Sequence, residues 1–248
     1  LILLLIGMLT LAFNIKATAS VANQTMLGLT DSLMLEFDFP IPIVTEGLSY
    51  DTVAMPGLSQ YGAPGEPILP FKLVKALIPQ GKDVQSVDVS IRNSMVLKGR
   101  FYIEYGRTPI PISSNTTVKD RPDEKIYSSA NPFPGVLFSQ MSEQHLRGYE
   151  ILMLKLHPVQ YIPKTDELLY FDAMTVNISL KEAGKTSPLF RNSPQDRADI
   201  LGVVDNPNEA NTYIKALTHS QTTALVNPSY SYDYVIITNN ALKSSFQP

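Results

Sequence analysis

Residues 174–180 read Met174-Thr175-Val176-Asn177-Ile178-Ser179-Leu180, with every second side chain apolar. Successive side chains of an extended chain point to opposite faces, so Met174, Val176, Ile178 and Leu180 turn one way and Thr175, Asn177 and Ser179 the other. That alternation specifies a strand half buried against a core. Comparable runs stand at 33–39, 84–91, 101–105 and 150–157. Between them lie clusters such as Pro64-Gly65-Glu66-Pro67 and Asn131-Pro132-Phe133-Pro134-Gly135, which set turns and interrupt hydrogen-bond ladders. Residues 159–162 and 168–171 are joined by Pro163-Lys164-Thr165-Asp166-Glu167, a polar connection of hairpin length. Many short strands punctuated in this way specify a mainly β fold, an antiparallel β-sandwich spanning residues 20–185.

The chain has 248 residues, of which 44% are hydrophobic and 17% charged, with a formal net charge of -3. That is ample for a buried core, and no basic block interleaves with aromatics, so nucleic acid is not an expected partner. The sequence has no cysteine, which removes disulfides, thiolate metal sites and thiol nucleophiles together.

Residues 1–15 are almost wholly apolar, break at Lys16 and lead into Ala17-Thr18-Ala19-Ser20. The run is shorter than the roughly 20 residues of a membrane-spanning helix. It reads as a signal peptide over residues 1–19, cut between Ala19 and Ser20, with no other membrane association expected. The chain begins without methionine and stops soon after an apolar strand, so truncation at both ends is expected.

Residues 186–229 are expected to be a polar linker holding one short helix, with Asn206 as its cap, Pro207 at its first position and Glu209 reaching back as in a capping box, running to about Leu217. Tyr234-Val235-Ile236-Ile237 is a continuous apolar run of the kind buried on both faces of an α/β sheet, and Asn239 or Asn240 is placed to cap a helix starting at Ala241. A second, α/β domain is therefore expected over residues 230–248.

Three stretches carry a family resemblance. Gly65-Glu66-Pro67-Ile68-Leu69-Pro70 with Ala76-Leu77-Ile78-Pro79-Gln80-Gly81 and the strand at 84–89 form the first. Gly148-Tyr149-Glu150 through Leu156-His157-Pro158-Val159-Gln160-Tyr161-Ile162-Pro163, continuing to Leu168-Leu169-Tyr170-Phe171, form the second. Tyr232-Asp233-Tyr234-Val235-Ile236-Ile237-Thr238 is the third. Their order resembles the pro-domain of the gingipain-like cysteine peptidases, family C25, followed by the first strand of the caspase-like catalytic domain. The resemblance implies a secreted or cell-surface zymogen whose pro-region keeps the peptidase inactive and assists its folding. It implies one partner, the downstream peptidase domain of the same precursor. The family's catalytic Cys and His have no counterpart among these residues, so this stretch is expected to be non-catalytic while its parent is a cysteine-type peptidase. A non-catalytic binding or adhesion sandwich of a surface protein is the competing assignment, since the fold alone serves both.

In such zymogens a basic residue on a mid-domain loop can occupy the substrate cleft, and the resemblance makes Arg121, followed by Pro122, the candidate for that role, against the alternative of an ordinary charged hairpin loop. Pro122 opposes cleavage after Arg121 and keeps the chain extended. Lys185, Arg191 and Arg197, with Lys215 beyond, are candidate activation cleavage sites in the polar segment. Asn23, Asn115 and Asn177 each begin an Asn-x-Ser/Thr triplet and are candidate glycosylation sites. His145, His157 and His219 fit no metal-binding spacing, and a polar loop accounts for Asp120, Asp123 and Glu124. No metal and no cofactor is expected.

Overall fold

The structure, a computed structural model, describes residues 31–113, 119–183, 187–214, 239–242 and 245. Its two compact units divide after Ile214. In the first unit, β1 (Ser32–Asp38), β6 (Lys82–Ile91) and β12 (Ala173–Glu182) form an antiparallel sheet in the order β1-β12-β6. Facing it is a second antiparallel sheet of β4 (Ser59–Tyr61), β5 (Leu69–Leu77), β8 (Phe138–Leu146) and β9 (Tyr149–Leu156), in the order β4-β5-β9-β8. A third, small sheet joins β7 (Ser94–Leu97) to the hairpin of β10 (Val159–Ile162) and β11 (Glu167–Phe171), and β2 (Ile43–Thr45) pairs with β3 (Thr52–Ala54).

The alternation of residues 174–180 survives intact. Met174, Val176, Ile178 and Leu180 are buried, while Thr175, Asn177 and Ser179 are only partly covered. Each buried aliphatic side chain contributes about 1.5–3 kcal/mol relative to an exposed one, so β12 alone can anchor its sheet. Its inner row meets Val74, Ala76 and Ile78 from the β5 segment and Leu152, Leu154 and Leu156 from β9 in one core, which makes the first unit a β-sandwich. The hairpin also forms as the sequence reading has it, with Ile162 opposite Glu167 and Asp166 at φ 56 closing the turn.

The segment 101–105 differs from its expected strand. It makes only isolated bridges, Asp51 with Ile103 and Pro67 with Tyr105. Its backbone groups are divided among separate neighbours: Tyr102 O accepts from Asp51 N at 2.7 Å, Glu104 N donates to Asp51 O at 2.9 Å, and Glu104 O accepts from Ile68 N at 2.7 Å.

The expected capped helix at 207–217 is corrected as well. Residues Pro207–Thr212 form a 3-10 helix, Asn206 makes no capping bond, and α2 (Pro194–Leu201) lies where a linker is expected. Leu77, Tyr149 and Ile151 on the outer face of the second sheet form a second core with Phe190, Ile200, Ala210 and Tyr213. Residues 187–214 therefore fold onto the sandwich. This is why β9 reads Tyr-Glu-Ile-Leu-Met-Leu-Lys-Leu with little alternation: both of its faces are covered.

In the second unit the described residues form a turn in which Leu242 N–H meets the Asn239 carbonyl at 3.2 Å and its side-chain oxygen at 3.1 Å. Residues 1–30 and 215–238 lie outside the described residues, and with them Ala19, Ser20, Asn23, His219, Lys215 and the run 234–237.

Candidate functional site

The loop that leaves Tyr105 and returns at Arg121 is anchored by the first of the family stretches. Pro64-Gly65-Glu66 turns beneath it. Gly65 N–H donates to Gly106 O at 2.9 Å and Gly106 N–H donates to Glu66 O at 2.8 Å, which fixes the outgoing arm. Gly65 O accepts from Asp123 N at 2.9 Å, which fixes the returning arm. The turn needs glycine at 65, where φ is +86° and a Cβ would stand 3.3 Å from Arg121 O. Gly106 is pressed so closely on the carbonyls of Gly62 and Ala63 that a side chain there would collide with backbone.

Above this base the arms are joined to each other. The Asp120 carboxylate accepts from Thr108 N at 3.0 Å and from Thr108 Oγ1 at 2.7 Å, while its carbonyl accepts from the Tyr105 hydroxyl at 3.1 Å. The hydroxyl and amide of Thr108 hold the Asp120 carboxyl below the usual carboxylate range. Beyond Thr108 the outgoing arm runs through Pro109-Ile110-Pro111-Ile112, with Ile110 and Ile112 exposed. Residues 114–118, including Asn115, lie outside the described residues.

Arg121 is exposed, with Pro122 half buried beside it. Both line the rim of an open cleft of about 730 Å³ walled by Pro64, Gly65, Tyr102 and Tyr127. After Pro122, Asp123 caps α1 (Glu124–Tyr127) by accepting from Lys125 N at 2.8 Å. The cleft wall is built on a row of tyrosines. Tyr50 and Tyr102 stack at 4.9 Å, Tyr102 meets Tyr127 edge-on at 5.8 Å, and Tyr127 meets Tyr161 at 6.2 Å. The Tyr127 hydroxyl donates to Ile103 O at 2.7 Å and that of Tyr161 to Phe101 O at 2.8 Å. Burial raises both phenols, that of Tyr161 to about 12, so they stay neutral donors.

Asp120, Asp123 and Glu124, which sequence reasoning groups as ordinary loop carboxylates, thus have separate tasks: joining the arms, capping α1 and lining the cleft. The sequence signal for the second task was the triplet Asp123-Glu124-Lys125 after a proline.

The candidate cleavage residues are not in a bare linker. Arg191 forks onto buried Asp196 at 2.9 and 2.6 Å, and Arg147 reaches the same carboxylate at 3.2 Å. Arg197 donates to Ala210 O and to Asn211 at 2.7 Å, tying α2 to the 3-10 helix. Lys185 lies outside the described residues. Asn177 sits in mid-strand on β12, partly covered, between Met34 and Asp88. His145 is exposed on the edge strand β8. His157 is half buried in a second cavity of about 290 Å³ with Tyr61, Phe71, Ser139 and Lys155. Its Nε2 lies 3.3 Å from Ser139 Oγ, and burial, then the charge of Lys155, lower it to about 4. Among the described residues no three His, Cys, Asp or Glu side chains converge as metal ligands.

The fold and the loop together define a β-sandwich that presents an exposed arginine, Arg121, on a braced loop. The chain belongs to the C25 peptidase propeptide family, whose model Propeptide_C25 matches residues 41–211. It is the non-catalytic pro-region of a gingipain-like precursor. Solved structures share the fold. A chain of the complex of Porphyromonas gingivalis RgpB pro- and mature domains is 17% identical with a TM-score of 0.55, the match covering 72% of this chain and 93% of that one. A chain of the structure addressing zymogenic latency of gingipain K from the same organism is 18% identical with a TM-score of 0.51, covering 62% and 88% respectively. No curated protein matches.

Proposed function

We propose that residues 20–214 bind the downstream cysteine endopeptidase of their own precursor, hold it latent and assist its folding until the precursor is exported and cut. The propeptide family match over 41–211 carries this reading. The RgpB structure is of a complex of pro- and mature domains, and the association of pro- with mature domain is what we extend to this chain. Arg121 on its braced loop is the residue assigned to the substrate cleft, with Pro122 opposing hydrolysis. Export rests on the apolar run of residues 1–15 and on Ala17-x-Ala19, with cleavage before Ser20, and it makes the product secreted or surface-bound. Activation is assigned to cleavage at a basic residue among Lys185, Arg191, Arg197 and Lys215, and the parent's hydrolase activity to a Cys and His of the peptidase domain.

The test is to add the purified domain, Ser20 through Ile214, to the mature enzyme encoded by the same precursor. Hydrolysis should fall at micromolar domain, and unchanged hydrolysis overturns the proposal. An Arg121→Ala domain should inhibit less well, and equal inhibition would remove only the role given to that residue.

A further inference from the structure

We infer that Asp120 is a positioning residue for inhibition: by gripping Thr108 it sets the exposed Arg121 in one orientation before the peptidase arrives. The inference rests on the pro-domain function proposed above and extends it from the residue offered to the device that offers it. The observation is the double hydrogen bond from Thr108, 3.0 Å from N and 2.7 Å from Oγ1, to the carboxylate that immediately precedes Arg121. The neighbouring contacts fix both ends of the bridge. Tyr105 holds the Asp120 carbonyl at 3.1 Å, and Asp123 N is tied to Gly65 O at 2.9 Å, so the chain is fastened on each side of Arg121.

The bridge does nothing evident for the core. Asp120 and Thr108 stand in a loop outside both hydrophobic clusters, and the sandwich has its own ladders. What it does is shorten a long loop. Closing residues 108 and 120 on each other adds to the base contacts and to the Tyr105 hydroxyl bond a second tie between the arms, and ordering them in advance spares that cost on binding. The exposed Ile110, two residues beyond the bridge, sets apolar surface on the same arm.

Asp120→Ala removes both acceptors. Asp120→Asn keeps a bridge, because the amide oxygen can accept from Thr108 N–H while the amide nitrogen donates to Oγ1. The experiment measures inhibition of the mature peptidase by the Ser20–Ile214 domain, alongside amide exchange at Thr108. Asp120→Ala should weaken inhibition roughly tenfold or more, as loss of a charge-assisted pair would, with the melting temperature within about 2 °C of the original. Asp120→Asn should restore most of the inhibition, and Thr108 N–H should exchange faster only in the alanine variant. In an Arg121→Ala background, Asp120→Ala should cost little more, because a positioning residue has nothing left to position. Full inhibition by Asp120→Ala, or an equal loss with and without Arg121, overturns the inference while leaving the pro-domain function in place. An original domain that does not inhibit overturns the function itself and the inference with it.

Discussion

The side-chain amide of Asn206 pairs with the backbone of Leu77 as a neighbouring strand would, accepting from its N–H at 2.7 Å and donating to its carbonyl at 2.9 Å. Two positions away, Asp205 does the same for Lys75, donating from its backbone N to Lys75 O at 2.9 Å and accepting from Lys75 N on its carboxylate at 2.7 Å. Strand β4 covers only Leu69–Phe71, with Tyr61 opposite Leu69 and Ser59 opposite Phe71, so the rest of β5 has a free edge on that side. Asp205 and Asn206 close it, and an open edge that would invite pairing with another chain is covered. Asn206→Ala should therefore destabilise the domain by about 1–3 kcal/mol, since it leaves two backbone groups of Leu77 without partners. Chemical denaturation with an unchanged m-value checks this, and a loss of only a few tenths would refute the edge-closing role of Asn206.

Asp196 is buried between Arg147 and Arg191, and the Arg191 hydrogen bond and charge hold its carboxyl below the ordinary range. Removing the carboxylate takes from Arg191 its anion and leaves Arg147 only the more exposed Asp199, at 2.8 Å, so α2 should loosen from the sheet. Asp196→Ala should expose Arg191 and Arg197 to trypsin roughly tenfold faster than the original domain, because a protease needs backbone it can draw into an extended shape. Equal rates in the two proteins would show that the segment is open without the mutation.

The pH dependence of stability should carry the mark of His157. Burial lowers its pKa to about 4, from about 6.5 in the unfolded chain, so between these values the unfolded state binds the extra proton and stability falls as the solution is acidified. The ring is only half buried, and solvent screening reduces the effect to about 1 kcal/mol. His157→Gln should flatten this part of the melting-temperature profile between pH 6.5 and 4. A profile of the same slope would place the dependence elsewhere.

Much of the sandwich was legible because β1, β6 and β12 each have one wet face, and period two is the mark of that asymmetry. The hairpin of β10 and β11 was legible from its turn. The second core was not, for the complementary reason. Tyr149, Ile151 and Leu77 read as ordinary strand residues, and the segment that covers them contributes mostly tyrosine, phenylalanine and single aliphatics spaced among charges. Asp196 is acidic in sequence yet buried, and only the ion pairs with Arg147 and Arg191 explain it. Ser193-Pro194 has the residue types of a helix start, but Ser193 makes no side-chain capping bond and the segment read as a linker. At the loop, Arg121 was assigned through the family resemblance, whereas the grip of Asp120 on Thr108 joins residues 12 apart and leaves no periodic trace.

The last prediction concerns Gly65, which connects the most recognisable sequence stretch to the loop. Its φ of +86° is one that glycine adopts freely, and a Cβ there would lie 3.3 Å from both Arg121 O and Asp123 N. Two costs are therefore distinct: the conformational one, about 1–2 kcal/mol for an L residue with positive φ, and the displacement of the returning arm. Gly65→Ala meets both. Gly65→Asn meets the second in full but the first only in part, because asparagine tolerates positive φ better than alanine. Alanine should lower stability by about 1–2 kcal/mol and asparagine by less. Both should weaken inhibition of the peptidase to a similar degree, since both push on the carbonyl of Arg121. Thermal melts and inhibition constants for the two variants separate the effects. An alanine variant as stable as the original would refute the assigned backbone conformation. A destabilised variant with full inhibition would show that the returning arm takes its position from the partner rather than from Gly65.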